Sequence, residues 1–183
     1  MKAIDKYLQN VRIDKAKKFI RKNDTVLDIG TADGIIFEKL RGLIKSGVGI
    51  DPLLPALIKT DLYTLLPGRF PDDCPAGETY DSITMLAVLE HISPELHLNL
   101  AMNCFDFLNR NGRLIITVPS PQVDQILNIL KRLKLIDGMS LEEHYGFIPS
   151  HTTQIFPGKY FRLLLNQYFQ FRLNNLFVFE KIN

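Results

Sequence analysis

Apolar residues near the start of the chain recur at helical spacing: Ile4, Leu8, Val11, Ala16, Phe19 and Ile20, with basic residues between them. That spacing predicts an amphipathic helix. Lys22-Asn23-Asp24 breaks it, and Thr25 to Gly30 then reads as a short buried strand entering a tight turn. Ile35, Ile36, Phe37 and Leu40 open a second helix after Gly34, and Ser46 to Asp51 form a second strand. Another strand is predicted from Thr79 to Leu86. Ser93-Pro94-Glu95 is a helix start, with Ser93 as N-cap and Pro94 at the first helical position. Leu96, Leu100, Cys104, Phe107 and Leu108 carry that helix to a stop at Asn109 to Gly112, and Gly112 to Val118 read as a strand ended by Pro119. Val123, Ile126, Leu127, Leu130 and Leu133 form a further helical stripe. A short helix around Lys159 to Asn166 is predicted next. Two aromatic-rich strands follow, Tyr168 to Leu173 and Leu176 to Ile182, joined by Asn174-Asn175 as a tight hairpin turn.

Strands alternating with helices and closing on a hairpin predict an α/β fold: a doubly wound, mostly parallel sheet with an antiparallel edge. Ligands of such sheets sit beyond the carboxyl ends of the strands, so the chemistry is to be sought there. The length of 183 residues fits a single domain spanning 1–183. With 46% hydrophobic residues the chain is neither disordered nor fibrous. A net charge of +2 gives no sign of a nucleic-acid or membrane partner. Arg12, Lys15, Lys17, Lys18, Arg21 and Lys22 make a basic run that reads as a solvated helix face, with nucleic-acid contact as the alternative. Cys74 and Cys104 stand alone without metal-type spacing, as reduced thiols do in the cytosol. No leader-like apolar stretch opens the sequence, and no run approaches the roughly 18 apolar residues of a membrane span. A cytoplasmic protein is the expectation.

The first strand tip reads Asp28-Ile29-Gly30-Thr31-Ala32-Asp33-Gly34. Gly30 and Gly34 permit positive φ and close approach of backbone to a ligand, and the helix amides that follow favour a negatively charged group. A dinucleotide fingerprint would read Gly-x-Gly-x-x-Gly; here the order is Asp-x-Gly-x-x-x-Gly, which argues against a pyrophosphate. An acid at position 28 suits a ligand carrying amino groups, although a buried Asp bonding loop amides would look the same. Asp51 ends the second strand, where a carboxylate can accept hydrogen bonds from both ribose hydroxyls; the other reading is a surface acid opening a turn with Pro52. Asp61, after a possible third short strand, is either an acceptor for an adenine amine or a loop acid.

Val26 to Gly34, Gly47 to Asp51, Tyr80 to Ile92 and Asn111 to Pro119 together resemble the class I S-adenosylmethionine-dependent methyltransferases, in particular the type 11/12 group. The likeness covers roughly residues 10 to 120, with the order of elements matching to the terminus. It implies a Rossmann-like, seven-stranded sheet with a C-terminal antiparallel hairpin and helices on both faces. It further implies S-adenosylmethionine as cofactor. Asp28, Gly30, Thr31 and Gly34 would surround its methionine end. Asp51 would hold the ribose with Pro52 and Leu53 beside the adenine, and Asp61 and Leu62 would meet the adenine edge. Leu86, Ala87 and His91 would line the sulfonium side. The sequence departs from the family pattern at Ala32, which stands where a second glycine is expected and could crowd the cofactor.

Methyl transfer to an acceptor that keeps its proton needs no base; for one that loses a proton, His91 is the first candidate, with backbone bonding as its other reading. His144 and His151 sit in a polar, aromatic stretch that either walls the acceptor pocket or forms an exposed loop. Glu142, Glu143 and His144 are adjacent and poorly placed to converge on one metal ion, so no metal is expected. Residues 121–150 form a candidate cap and substrate segment, and the helix Val123 to Ile136 a lid or a homodimer face. The partner expected is a small-molecule acceptor, methylated on oxygen or carbon: a sugar, lipid-linked intermediate or secondary metabolite. Two rivals are a non-catalytic nucleoside-cofactor-binding or interaction module and an NAD-dependent oxidoreductase.

Overall fold

The computed structural model describes residues 3–121 and 147–182. The helical stripe Val123 to Ile136 with its lid and dimer readings, His144 and most of the 121–150 segment lie outside the described residues. The described residues form one eight-stranded sheet. In chain order the strands are β1 (Thr25–Ile29), β2 (Ser46–Asp51), β3 (Ile58–Lys59), β4 (Tyr63–Pro67), β5 (Tyr80–Leu86), β6 (Leu108–Pro119), β7 (Phe161–Phe169) and β8 (Asn174–Lys181). Their spatial order is β3-β4-β2-β1-β5-β6-β8-β7. The run from β4 to β6 is parallel, β7 and β8 form the antiparallel hairpin, and β3 adds a two-residue antiparallel edge to the seven strands expected.

Helices cover both faces. On one side lie α1 (Ala3–Ala16) and α2 (Ile35–Leu40), whose Ile13, Ala16, Ile36, Phe37 and Leu40 pack on Val26, Ile115 and Val178. On the other, α3 (His97–Phe107) buries Leu100, Ala101 and Cys104 on Leu27, Ile83 and Met85. Central strands have apolar residues facing both layers, as a parallel sheet sandwiched between helices demands. Among the described residues no helix is long and apolar enough to cross a membrane.

Two local expectations fail. The predicted helix at Lys159 to Asn166 is the first half of β7. A short 3-10 turn (Pro149–His151) leading into α4 (Thr152–Ile155) is the helical piece of this region. Asn174 and Asn175 are not the hairpin turn: they start β8 and are buried, and Gln170, Phe171 and Arg172 make the reversal with positive φ. Tertiary bonds decide the matter. Asn175 Nδ2 donates to Ser120 Oγ (3.0 Å), far away in sequence, while Asn174 Nδ2 bonds across the reversal to Gln170 Oε1 (2.6 Å).

Candidate functional site

The strand tips position the chemistry. Along β1, side chains alternate between the two layers, so Asp28 shares a face with Val26, on the α1 side. Thr84, opposite it on β5, donates its hydroxyl to Asp28 Oδ1 at 2.5 Å. Asp28 is 4% exposed. Burial pushes its carboxyl up to about 7, and the charges of Asp51 and Asp33 act the same way; hydrogen bonds from Thr84 and Thr31 pull in the other direction. The resulting group is an acid that gains its charge readily only when a cation comes to meet it.

After β1 the chain turns through Gly30 at φ 76° and Gly34 at φ 70°. A Cβ at Gly30 would stand 2.4 Å from Val88 Cγ2, and one at Gly34 would stand 2.8 Å from Leu65 Cδ1, so both positions exclude a side chain. Ala32 adopts φ 50° between them. The residue is exposed, and its N–H donates to Asp51 Oδ2 at 3.0 Å. The other carboxylate oxygen of Asp51 accepts from Leu53 N–H at 2.8 Å. Asp51 therefore ties the β1 turn to the β2 turn while each of its oxygens keeps a second lone pair. Pro52 and Leu53 beside it are exposed.

Asp28, Gly30, Thr31 and Leu86 line one cleft, together with Ile36 of α2 and with Gln9, Arg12 and Ile13 of α1. Gly34, Ala32, Asp51 and Ala87 adjoin it in the same turns; Ala87 follows β5 at φ 61° with its N–H bonded to Thr117 O. His91 lies one 3-10 turn (Leu89–His91) beyond, half-buried. His151 is exposed, with its ring 6.5 Å from Phe147, which also faces His97 at 6.0 Å. His151 does not line the cleft.

Asp61 and Leu62 are in the wrong place for their expected role. β4 runs parallel to β2 and begins at Tyr63, so the two residues precede it, at the end of the sheet opposite Asp51. Leu62 O accepts from Gly47 N–H near the start of β2. Asp61 forms a two-point pair with Arg41 at 2.8 and 3.2 Å, and Arg41 also binds Glu38. The segment that meets the tip of β2 is instead the one leaving β4, where Gly68 N–H donates to Asp51 O. Arg12 is a second correction. It is not on a solvated face but half-buried in the cleft wall, and Gln9 beside it donates to Asp33 Oδ1 at 2.9 Å. The helical period alone could have signalled this, since Arg12 is flanked by Val11 and the core residue Ile13. No cluster of metal-binding side chains occurs among the described residues, and both cysteines are free.

Residues 4–172 match a family model described as a methyltransferase domain. No curated protein matches the sequence. Solved structures with the same fold include the N-methyltransferase NodS from Bradyrhizobium japonicum WM9, 15% identical with a TM-score of 0.70, covering 98% of this chain and 99% of that one. The cyclopropane synthase MmaA2 from Mycobacterium tuberculosis is 14% identical (TM-score 0.67), covering 94% and 84%. Magnesium protoporphyrin IX methyltransferase ChlM from Synechocystis PCC 6803, solved with bound SAH, is 16% identical (TM-score 0.65), covering 96% and 84%.

Proposed function

We propose, from the premise that this chain belongs to the methyltransferase domain family, that its cleft at the tips of β1, β2 and β5 binds S-adenosylmethionine and serves methyl transfer to a small-molecule acceptor. The chain is a class I S-adenosylmethionine-dependent methyltransferase. The observation that carries the site assignment is the pairing of two buried carboxyls, Asp28 and Asp51, at neighbouring strand tips around one glycine-bearing turn.

The residues present fit the cofactor. A buried carboxyl held near neutrality is the counterpart of an ammonium group, and it is what Asp28 offers at the methionine end. Asp51 keeps lone pairs for two vicinal hydroxyls while its existing bonds hold it in place. Thr31, Gly30 and Gly34 let the backbone come close, Ala32 is exposed in the turn between the glycines, and Pro52 and Leu53 flank the adenine side. Leu86 and Ala87 border the reacting end.

When bound, S-adenosylmethionine supplies a methyl group on an already activated sulfonium. The protein's share is chiefly positioning and exclusion of water. His91, beyond the β5 tip, is the base for an acceptor that must lose a proton. The acceptor is a small molecule methylated on oxygen or carbon, a sugar, lipid-linked intermediate or secondary metabolite. In support, Ala87-Val88-Leu89-Glu90 after β5 lacks the Asn-Pro-Pro-Tyr pattern associated with nitrogen acceptors in nucleobases and amides. Residues 1–183 act as one domain in the cytoplasm. Segment 121–150, which follows β6 in the sequence, is the candidate substrate segment, and His144 and His151 are candidate acceptor-side groups.

Thermal-shift titration tests the reading. S-adenosylhomocysteine should raise the melting temperature and NAD should not, because only a ligand of the native state stabilises by mass action. A shift with NAD alone overturns it.

A further inference from the structure

Between β7 and β8, Gln170, Phe171 and Arg172 follow one another at φ 49°, 55° and 68°, a left-handed run without a glycine. Such conformations persist only where the surroundings hold them. Here Leu173 N–H donates to Gln170 O, Asn174 Nδ2 to Gln170 Oε1, Ser120 Oγ to Arg172 O and Ser120 N–H to Leu173 O. The turn fixed in this way leaves Phe171 100% exposed, and Arg172 lies over the Tyr168 ring at 5.2 Å. A fully exposed ring buries no apolar area within the monomer, so the strained turn holds it out for something outside.

This turn stands at the carboxyl end of the sheet, since Asn174 pairs with Pro119 at the end of β6. The cleft opens at the same end. Across the sheet, Pro52 to Ile58 run without a charged residue, and Leu57 and Ile58 are exposed where this stretch enters β3. Leu96 and Leu98 are exposed at the start of α3, just past the tip of β5. The opposite end of the sheet differs in kind. Arg21 and Arg162 both pair with Glu180 there, Lys22, Lys45 and Arg110 are exposed, and Ile182 lies among them. β3 and β8 are six places apart in the sheet, so the two apolar points flank the cleft at a separation of about 30 Å. Lys59 follows one of them in the chain and Arg172 the other, both exposed.

We propose that the carboxyl end of the sheet docks on an anionic lipid surface through the Phe171 turn and the Leu57-Ile58 edge, and that the cleft between them takes a lipid-linked acceptor from that surface. The acceptor half rests on the methyl-transfer reading of the cleft. A bilayer accommodates separate protrusions on either side of an open mouth, whereas a partner protein of ordinary interface size needs a continuous complementary patch. Phe171, Leu57 and Ile58 reach the acyl boundary while Lys59 and Arg172 meet anionic headgroups, with Tyr168 at headgroup level under Arg172. The acceptor's apolar tail then stays in the bilayer and its head enters the cleft.

The sequence contains no tryptophan, so a single introduced one is a clean reporter. Full-length Phe171→Trp, mixed with phosphatidylcholine vesicles containing about 30% phosphatidylglycerol, should shift its emission to the blue and be quenched by acyl-brominated lipid. Ile182→Trp, at the other end of the sheet, should do neither. In vesicle flotation Phe171→Ser and Leu57→Ser should each bind about 10-fold more weakly than wild type, with the thermal shift by S-adenosylhomocysteine unchanged. Wild type should bind pure phosphatidylcholine at least about 5-fold more weakly than the anionic vesicles. No flotation, equal binding to neutral vesicles, or quenching of both tryptophans overturns the proposal. So does a lipid-free wild type that sediments as a dimer and a Phe171→Ser variant that does not, because a second copy then covers the turn. Flotation without a shift by S-adenosylhomocysteine keeps the docking and removes the cofactor reading; a shift without flotation does the reverse. The two tryptophan variants decide even if a serine variant does not fold.

Discussion

Replacing Asp28 with asparagine probes the electrostatic premise of the site. In the ligand-free protein its carboxyl titrates near 7 instead of the ordinary 3.8. Between those values the folded state holds a proton that the unfolded chain has released, so stability falls as pH rises. The contribution is fully favourable below about pH 4, declines through pH 7 and is flat above. Moving a titration midpoint by one pH unit is worth about 1.36 kcal/mol, so the buried charge costs about 4 kcal/mol at pH 8. Asparagine keeps the shape and can still accept the Thr84 hydroxyl on Oδ1. Asp28→Asn should therefore match wild type at pH 4 and exceed it by about 4 kcal/mol at pH 8, roughly 10 °C in Tm for a domain of this length. Binding should behave oppositely. The ammonium of S-adenosylhomocysteine needs the carboxylate, so wild-type affinity should rise from pH 6 to pH 8 and complex formation should release a proton. Asp28→Asn should bind weakly at both. Urea denaturation at the two pH values, and titration in buffers of different ionisation enthalpy, read these effects. A variant less stable than wild type at pH 8, or wild-type binding that does not change with pH, would refute the reasoning.

Asp51→Ala should weaken S-adenosylhomocysteine at least 10-fold by direct titration, since one carboxylate carries both the ribose and the two turn amides. Asp61→Ala should leave that affinity within about twofold and cost at most about 1 kcal/mol, as an exposed ion pair with Arg41 does. Ala32→Gly should gain about 0.5 kcal/mol in denaturant melts, because relief of left-handed strain outweighs the added freedom of the unfolded chain. Gly30→Ala should lose at least about 2 kcal/mol and its ligand-induced thermal shift, through both its positive φ and the clash with Val88. Adding Val88→Ala should recover only the part due to the clash.

The glycine-bearing turn, Asp28 and Asp51 are legible in the sequence because their signals are local. A carboxylate at a strand tip followed by left-handed glycines needs no distant partner to be recognised, and the alternation of buried strands with helices specifies a parallel sheet. Asp61 misleads because the direction and register of β4, not the identity of the acid, decide which end of the sheet it occupies. The 159–166 segment imitates a helix because β7 lies at the edge of the sheet, where partial exposure of Leu163, Leu164 and Tyr168 blurs the strand period. The hairpin turn moves off Asn174-Asn175 because Ser120, far away in sequence, takes one of those amides.

Arg12 shows the same division most clearly. Its charge and helical setting are in the sequence, but a basic residue on an amphipathic helix is solvated unless the helix is laid across something that buries it. Which face of α1 meets the tips of β1 and β5 is fixed by long-range packing of Ile13 and Ala16 on the sheet. Chain-local chemistry thus determined what could be bound, and the tertiary arrangement decided which side chains share the cleft, because proximity between remote residues is a property of packing and not of spacing.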